Sequence, residues 1–387
     1  MPKLRFSEFT EECENIELNE IAKFYSGGTP LTSKREYFAG DIPFIRSGEI
    51  NKDQTEQFIS ELGLKNSSAK MVEVGDVLYA LYGATSGEVA ISKIRGAINQ
   101  AILCIKSEQN HYFIYSYLFS KKENIIRTFL QGGQGNLSSD IVKKIRISMP
   151  SKKKKKKISS LLSLINERIS LSMKIISHLE SLMNELREKI FSQQFRFKDD
   201  LGNNFPKWES KKIGDIGTFF SGGTPLTSNK SYYKGNIPFI KSGEINSPKT
   251  AQFISQEALK KSSAKMVNRG DLIYALYGAT SGEVGLAKID GAINQAILCI
   301  RTSLNSSYLL NYLKLKKESI LKTYLQGGQG NLSGDIVKSL IIPVPTFDEQ
   351  TKISNFLSSI DEKIETEKKI VTQYEIQKKY LLSNLFV

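Results

Sequence analysis

Three short segments of this 387-residue sequence crowd cations, hydroxyls and amides around turns, and each occurs twice. Residues 29–35 carry Thr29, Lys34 and Arg35; residues 46–52 carry Arg46, Ser47, Glu49 and Asn51; residues 82–86 carry Tyr82, Thr85 and Ser86. The segments return 195 residues later with Thr224 and Lys230, then Lys241, Ser242, Glu244 and Asn246, then Tyr277, Thr280 and Ser281. Such side chains bond to nucleic-acid base edges, and their cations meet phosphate. The chemistry they fit is recognition. Glu49 and Glu244 could accept from a cytosine amino group or form a salt bridge to Arg46 or Lys241. Tyr82 and Tyr277 could stack on a base, bond a phosphate, or stand half-buried in a strand. Asn99-Gln100 and its mate Asn294-Gln295 suit adenine, or a structural hydrogen-bond cluster leading into a core strand. Where the copies differ, as at Lys34/Asn229 and Arg35/Lys230, the side chain's identity is unimportant if both copies read the same bases.

Catalytic groups are harder to find. Three cysteines and two histidines, with no Cys-x-x-Cys pair, argue against a zinc site. Cys104 and Cys299 are repeat mates inside apolar segments and read as reduced core residues. Asn236-Ile237-Pro238-Phe239 resembles the Asn-Pro-Pro-(Phe/Tyr) motif of amino-methyltransferases, with Asp41-Ile42-Pro43-Phe44 as its mate. Isoleucine replaces the first proline in both, and no Gly-rich strand–turn–helix for S-adenosylmethionine precedes either. The start of a strand with a buried phenylalanine is the favoured reading. Gly132–Gly135 lacks the lysine of a P-loop and reads as a turn needing positive φ. Asn136 and Ser138 after it could bond backbone or a helix end.

The elements that must hold these residues are duplicated too. Residues 26–105 match 221–300 at 57 of 80 positions, so the repeat unit is a domain. Two equal halves imply pseudo-two-fold symmetry, and a partner that shares it. Within the first copy, Val77 to Tyr82 reads as a strand after a Gly75-Asp76 turn, and Ala101 to Ile105 as another. Residues 112–130 read as a helix with Phe113, Tyr117, Leu118, Ile125 and Phe129 on one side, and a strand-like stretch runs to Pro150.

From Leu162 the pattern changes. Apolar residues fall at steps of three and four at Leu162, Ile165, Ile169, Ile176, Leu179, Met183, Leu186 and Ile190, with Ser172 the one polar interruption. The mates are Leu357, Ile360, Ile364, Val371, Tyr374, Leu381 and Leu385, interrupted at Glu367 and Lys378. Each is the seam of a long coiled-coil helix that needs a partner, and the repeat makes the pair antiparallel. The first seam spans about 42 Å at 1.5 Å per residue, close to the roughly 34–36 Å of one turn of B-DNA. The expected fold class is α+β. Two mixed α/β domains, 1–151 and 196–347, are separated by a long antiparallel two-helix coiled coil from 152–195 and 348–387, with pseudo-two-fold symmetry.

A net charge of +14 points to an anionic partner, nucleic acid first; an acidic protein partner or a solubility charge is the alternative. No apolar run approaches a membrane span and the N-terminus carries no apolar signal region, so a cytoplasmic protein without membrane association is expected.

The ordered set Ser-Gly-Gly-Thr-Pro, Ile-Pro-Phe-Ile-(Arg/Lys)-Ser-Gly-Glu-Ile, Ala-Ile-Asn-Gln-Ala and Gly-Gln-Gly-Asn-Leu-Ser stands in both halves. Together with Pro345 to Ile353, it resembles the specificity subunit of type I restriction–modification systems, over nearly the whole chain. The resemblance implies two target-recognition domains, each reading half of a split site on double-stranded DNA, and helices that act as a ruler. It implies docking to two modification (methyltransferase) subunits and to restriction subunits. No cofactor is expected in this chain; S-adenosylmethionine, ATP and Mg are expected on the partner subunits. The alternatives are a stand-alone DNA methyltransferase or nuclease, for which no carboxylate cluster or cofactor motif is visible, and a protein-binding coiled-coil scaffold, which leaves two basic, loop-rich domains unexplained.

Two features depart from that family's pattern. Lys152 to Lys157 stands where the second copy has Phe347 to Lys352, so the first helix lacks an acidic first turn, a loss of a few tenths up to about 1 kcal/mol. The run reads as an altered or slippage-prone codon tract, or as a solvated basic linker touching phosphate. The helices, which normally agree between halves, match at only 12 of 35 positions when 158–192 is compared with 353–387. The domains, which normally differ, match at 57 of 80. Two near-identical readers should read near-identical half-sites, inverted on opposite strands around an unread spacer.

Overall fold

The computed structural model describes residues 4, 6–9, 11–129, 136–324 and 331–386. The chain divides into two compact units, Met1–Met173 with Lys369–Val387, and Lys174–Lys368. The fold class is α+β, and both units repeat one strand order.

In the first unit one four-stranded sheet runs Ala22–Ser26, Ile102–Ser107, Val77–Ala80, Val89–Ile91, all antiparallel. A second runs Phe58–Ile59, Ile42–Ile45, Gly96–Ile98, Lys70–Val72, with Ile42–Ile45 and Gly96–Ile98 parallel. Val77–Ala80 is an unbroken apolar run because it is buried on both faces. Val77 and Tyr79 face the helix His111–Phe129, while Leu78 and Ala80 join Ile45, Val72, Ile98 and Cys104 in a core drawn from both sheets. The second unit repeats this with Gly217–Ser221, Ile297–Thr302, Leu272–Ala275, Val284–Leu286 and with Phe253–Ile254, Ile237–Ile240, Gly291–Ile293, Lys265–Val267.

The Ser-Gly-Gly-Thr-Pro loop exists because a backbone must pass very close to a neighbouring strand. A Cβ on Gly27 would lie 1.7 Å from the Ile98 carbonyl oxygen, and one on Gly222 1.8 Å from that of Ile293. No residue but glycine fits.

Several expectations change. Residues 112–130 give a helix over His111–Phe129, but Phe129 is 48% exposed, since the core that takes in Phe113, Tyr117, Leu118 and Ile125 does not reach it. The stretch to Pro150 holds a short helix, Ser139–Lys143, capped by Ser138 Oγ, before the strand Arg146–Met149. Gly132–Gly135 lies outside the described residues. The lysine run is no linker. The first long helix is Lys152–Phe191, so all six lysines are helical, and Lys154 is buried.

The second long helix is Phe347–Leu385. In the first unit Leu162 and Ile165 are buried with Leu381 and Leu385, and Ile169 and Tyr374 pack against them. In the second unit Ile176, Leu179 and Leu186 pack on a core containing Met183, Ile190, Leu357, Ile360 and Ile364. There Glu180 pairs with Lys368 and Arg187 lies 3.9 Å from Asp361, so one helix ascends as the other descends. The pair is antiparallel. Val371 is half-buried. Cys104 and Cys299 are free and fully buried, and burial pushes both thiols up to about 12.

Candidate nucleic-acid interface

Three chain segments build the face in the second unit, and their mates stand in the first. The Ser-Gly-Gly-Thr-Pro loop leaves the first sheet. A one-turn 3-10 helix, Ser47–Glu49 or Ser242–Glu244, follows the strand Ile42–Ile45 or Ile237–Ile240. The Asn-Gln turn connects strands of the two sheets. Thr29 Oγ1 and Gln100 Oε1 are 2.7 Å apart, as are Thr224 and Gln295, so the first and third segments are tied in both copies. Asn99 Oδ1 accepts the Ala101 amide and Asn294 Oδ1 that of Ala296, the structural alternative for this pair.

In the second unit these segments enclose an open pocket of about 380 Å³ lined by Thr224, Thr227, Lys230, Tyr233, Phe239, Lys241, Gln252 and Asn294. Thr224, Lys230 and Lys241 come together there. Ser242 and Asn246 lie on the adjoining turn. Phe239 is buried at its base, as the strand reading of Ile-Pro-Phe required. Tyr233 and Gln252 carry no turn signal in the sequence, although Gln57 and Gln252 stand identical in both copies.

Glu49 is 4% exposed, and its oxygens are filled from within the protein. Oε2 accepts from the Arg46 amide, Arg46 Nε and Thr55; Oε1 accepts from Arg46 Nη2 and the Glu56 amide. Burial raises this carboxyl, but the bonds from Arg46, the two amides and Thr55 outweigh it and hold it at about 2. The salt bridge, not a cytosine contact, is what the geometry supplies. Glu244 is held the same way by the Lys241 and Ala251 amides and Thr250. There too the bonds outweigh burial, and its pKa is lowered. Lys241 itself is exposed and makes no ion pair among the described residues.

The third expected segment goes elsewhere. Ser86 is buried and donates to the Leu81 carbonyl, as Ser281 does to that of Leu276, because the hairpin needs its own turn closed. Tyr277 is half-buried against the second unit's core, while Tyr82 is 37% exposed. Tyr277, Thr280 and Ser281 do not line the pocket. In the first unit Thr29, Lys34, Arg35 and Asn51 are exposed, Ser47 and Thr85 half-buried, and Lys34 lies 5.0 Å over the Tyr37 ring. Among the described residues no cluster of His, Cys, Asp or Glu could hold a metal ion, and no helix is long and apolar enough to cross a membrane.

The duplicated α+β unit with its share of a helix pair is matched by a family model, the type I restriction modification DNA specificity domain, over residues 10–181 and again over 206–375. The chain belongs to this family. It is 25% identical to the type I restriction enzyme MjaIX specificity subunit of Methanocaldococcus jannaschii, over 77% of this chain and 74% of that one. It is 28% identical to the EcoR124I/EcoR124II specificity subunit of Escherichia coli, over 51% and 50%. It shares its fold with the S subunit of a type I restriction–modification system from M. genitalium, at a TM-score of 0.69 and 17% identity, covering 100% of this chain and 99% of that one.

Proposed function

We propose that this chain reads DNA for a type I restriction–modification complex. Each unit contacts one half of a bipartite site, and the halves are the same short sequence inverted. The observation that carries this is the match of the two faces. Thr29/Thr224, Gln57/Gln252, Asn99/Asn294 and the Thr–Gln tie are identical, and Arg35/Lys230 and Arg46/Lys241 keep their charge. Readers with the same donors and acceptors select the same bases.

Among the candidate residues, the exposed ones, open to DNA, are Thr29, Lys34, Arg35, Asn51, Tyr82, Thr224, Lys230, Lys241 and Asn246. Glu49, Glu244, Ser86 and Ser281 are assigned to holding the loops. The long helices set the half-site spacing and carry two modification subunits and the restriction subunits. Methyl transfer and cleavage, with S-adenosylmethionine, ATP and Mg, belong to those cytoplasmic partners.

The test is DNA binding by the chain with and without its methyltransferase subunits over a salt series. Affinity of the assembly should fall steeply as salt rises, because phosphate contacts release counterions. Salt-independent binding, or none, would overturn the proposal, and methyl transfer by the chain alone would favour the enzyme reading instead.

A further inference from the structure

The two faces share their donors but not their charge. Residues 26–60 hold four Lys and Arg against five Asp and Glu, a net of −1; the matching residues 221–255 hold four Lys against one Glu, a net of +3. The differences are localised. Glu36, Asp41, Asp53 and Glu56 stand where the second copy has Ser231, Asn236, Pro248 and Ala251.

One of these exchanges acts directly on a cation. Arg46 Nη2 donates to Glu56 at 2.7 Å while Arg46 Nε and Nη2 also donate to Glu49 at 3.1 and 3.2 Å, so two of its three nitrogens are bound within the protein. Its side chain is 39% exposed but clamped between two carboxylates. At the mate position Ala251 has no carboxylate to offer, and Lys241 is exposed, feels the charge of Glu244 without a direct ion pair among the described residues, and shares a pocket with Lys230 and Thr224. No acidic residue lines that pocket. A neutralised cation returns little counterion on binding, whereas an unpaired one does.

We propose that the two recognition domains, although they read the same bases, grip DNA unequally. The Lys241 face holds phosphate, while Arg46 is withheld from the backbone by Glu49 and Glu56 together. Position 56/251 is then the exchange that adds a second carboxylate to the cation in one half and none in the other. This rests on the reading of both faces as DNA contacts.

The experiment uses the chain assembled with its methyltransferase subunits and a duplex carrying its site, and reads the slope of log affinity against log salt. Lys241→Ala should flatten the slope by about 0.9, one phosphate contact, and Arg46→Ala should leave it unchanged. The surface exchange Ala251→Glu should reproduce Lys241→Ala. Glu56→Ala, at a residue 72% exposed, should steepen the slope, but by less than the roughly 0.9 of one full phosphate contact, because Arg46 keeps its bonds to Glu49. These two exchanges touch no buried group, so a folding defect in Arg46→Ala does not decide the matter. Equal losses from Lys241→Ala and Arg46→Ala, or no response to either exchange, would refute the unequal grip while leaving DNA reading intact. Affinity that ignores salt in the unaltered assembly would remove the DNA reading itself.

Discussion

Removing the carboxylate of Glu349 should destabilise the second unit by about 4 kcal/mol. Glu349 is fully buried in the first turn of the helix Phe347–Leu385. Its oxygens accept from Arg196 Nε at 3.1 Å, Arg196 Nη2 at 2.7 Å and the indole Nε1 of Trp208 at 2.8 Å. Breaking a buried pair from one side costs about 3–5 kcal/mol, because the remaining charge is left without its partner. Arg196 keeps the Phe205 and Pro206 carbonyls and a quarter of its surface in water, which places Glu349→Ala near 3 kcal/mol from the ion pair. The stranded indole N–H adds about 1 kcal/mol. Glu349→Gln keeps an acceptor and should cost about half as much, roughly 2 kcal/mol. The double variant Arg196→Met/Glu349→Leu should cost less than Glu349→Ala alone, since a pair replaced by apolar groups leaves no unpaired charge, only the Trp208 indole N–H without its acceptor. Urea unfolding followed by tryptophan fluorescence measures this locally, because Trp208 is the chain's only tryptophan. A loss below about 1 kcal/mol for Glu349→Ala, or a double variant worse than the single, would refute the reasoning.

Other consequences are separate. Glu49 has a pKa lowered from 4.5 to about 2 in the fold, so its stabilisation is present above pH 4.5 and disappears as pH falls towards 2; Glu49→Gln should flatten the acid limb of a stability–pH curve for the first unit, and an unchanged limb would contradict the pairing. With Cys104 and Cys299 buried and their thiols near 12, a thiol reagent should label Cys13 alone in the folded chain at neutral pH and all three in denaturant; rapid labelling of a second thiol in the fold would count against this core. Lys153 occupies the place of Asp348 in an otherwise all-lysine first turn, so Lys153→Asp should stabilise the first unit by about 0.3–1 kcal/mol in urea unfolding, and a destabilisation would show that the lysine run is held by something other than the helix.

What was legible in the sequence follows from what each residue answers to. The helix seams were readable because Leu162, Ile165 and Leu357 obey a local period imposed by one apolar contact line. The strands at Val77 and Ile102 were readable because burial on both faces leaves an uninterrupted apolar run. The lysine run misled, since charge alone suggests solvent, whereas the helix continues through it and turns Lys154 inward. Phe129 misled for the opposite reason: its period fits the buried side, but the core on that side takes in Ile125 and not Phe129. The role of Glu49 could not be read locally, because Thr55 and the Glu56 amide reach it only once the strand Ile42–Ile45 and the following turn are in place. The pocket was half legible. Its lysines and threonine stood out as polar turn residues, while Gln252 and Tyr233 arrive from other elements and carry no local signal beyond, for Gln252, identity between the copies.

If two near-identical units read one short word twice, the modified sites must show it. Mapping methylated adenines in DNA modified by the assembled complex containing this chain tests it most directly. The expected result is a split motif whose halves are the same sequence on opposite strands around an unread spacer; two unrelated half-sites would rule it out.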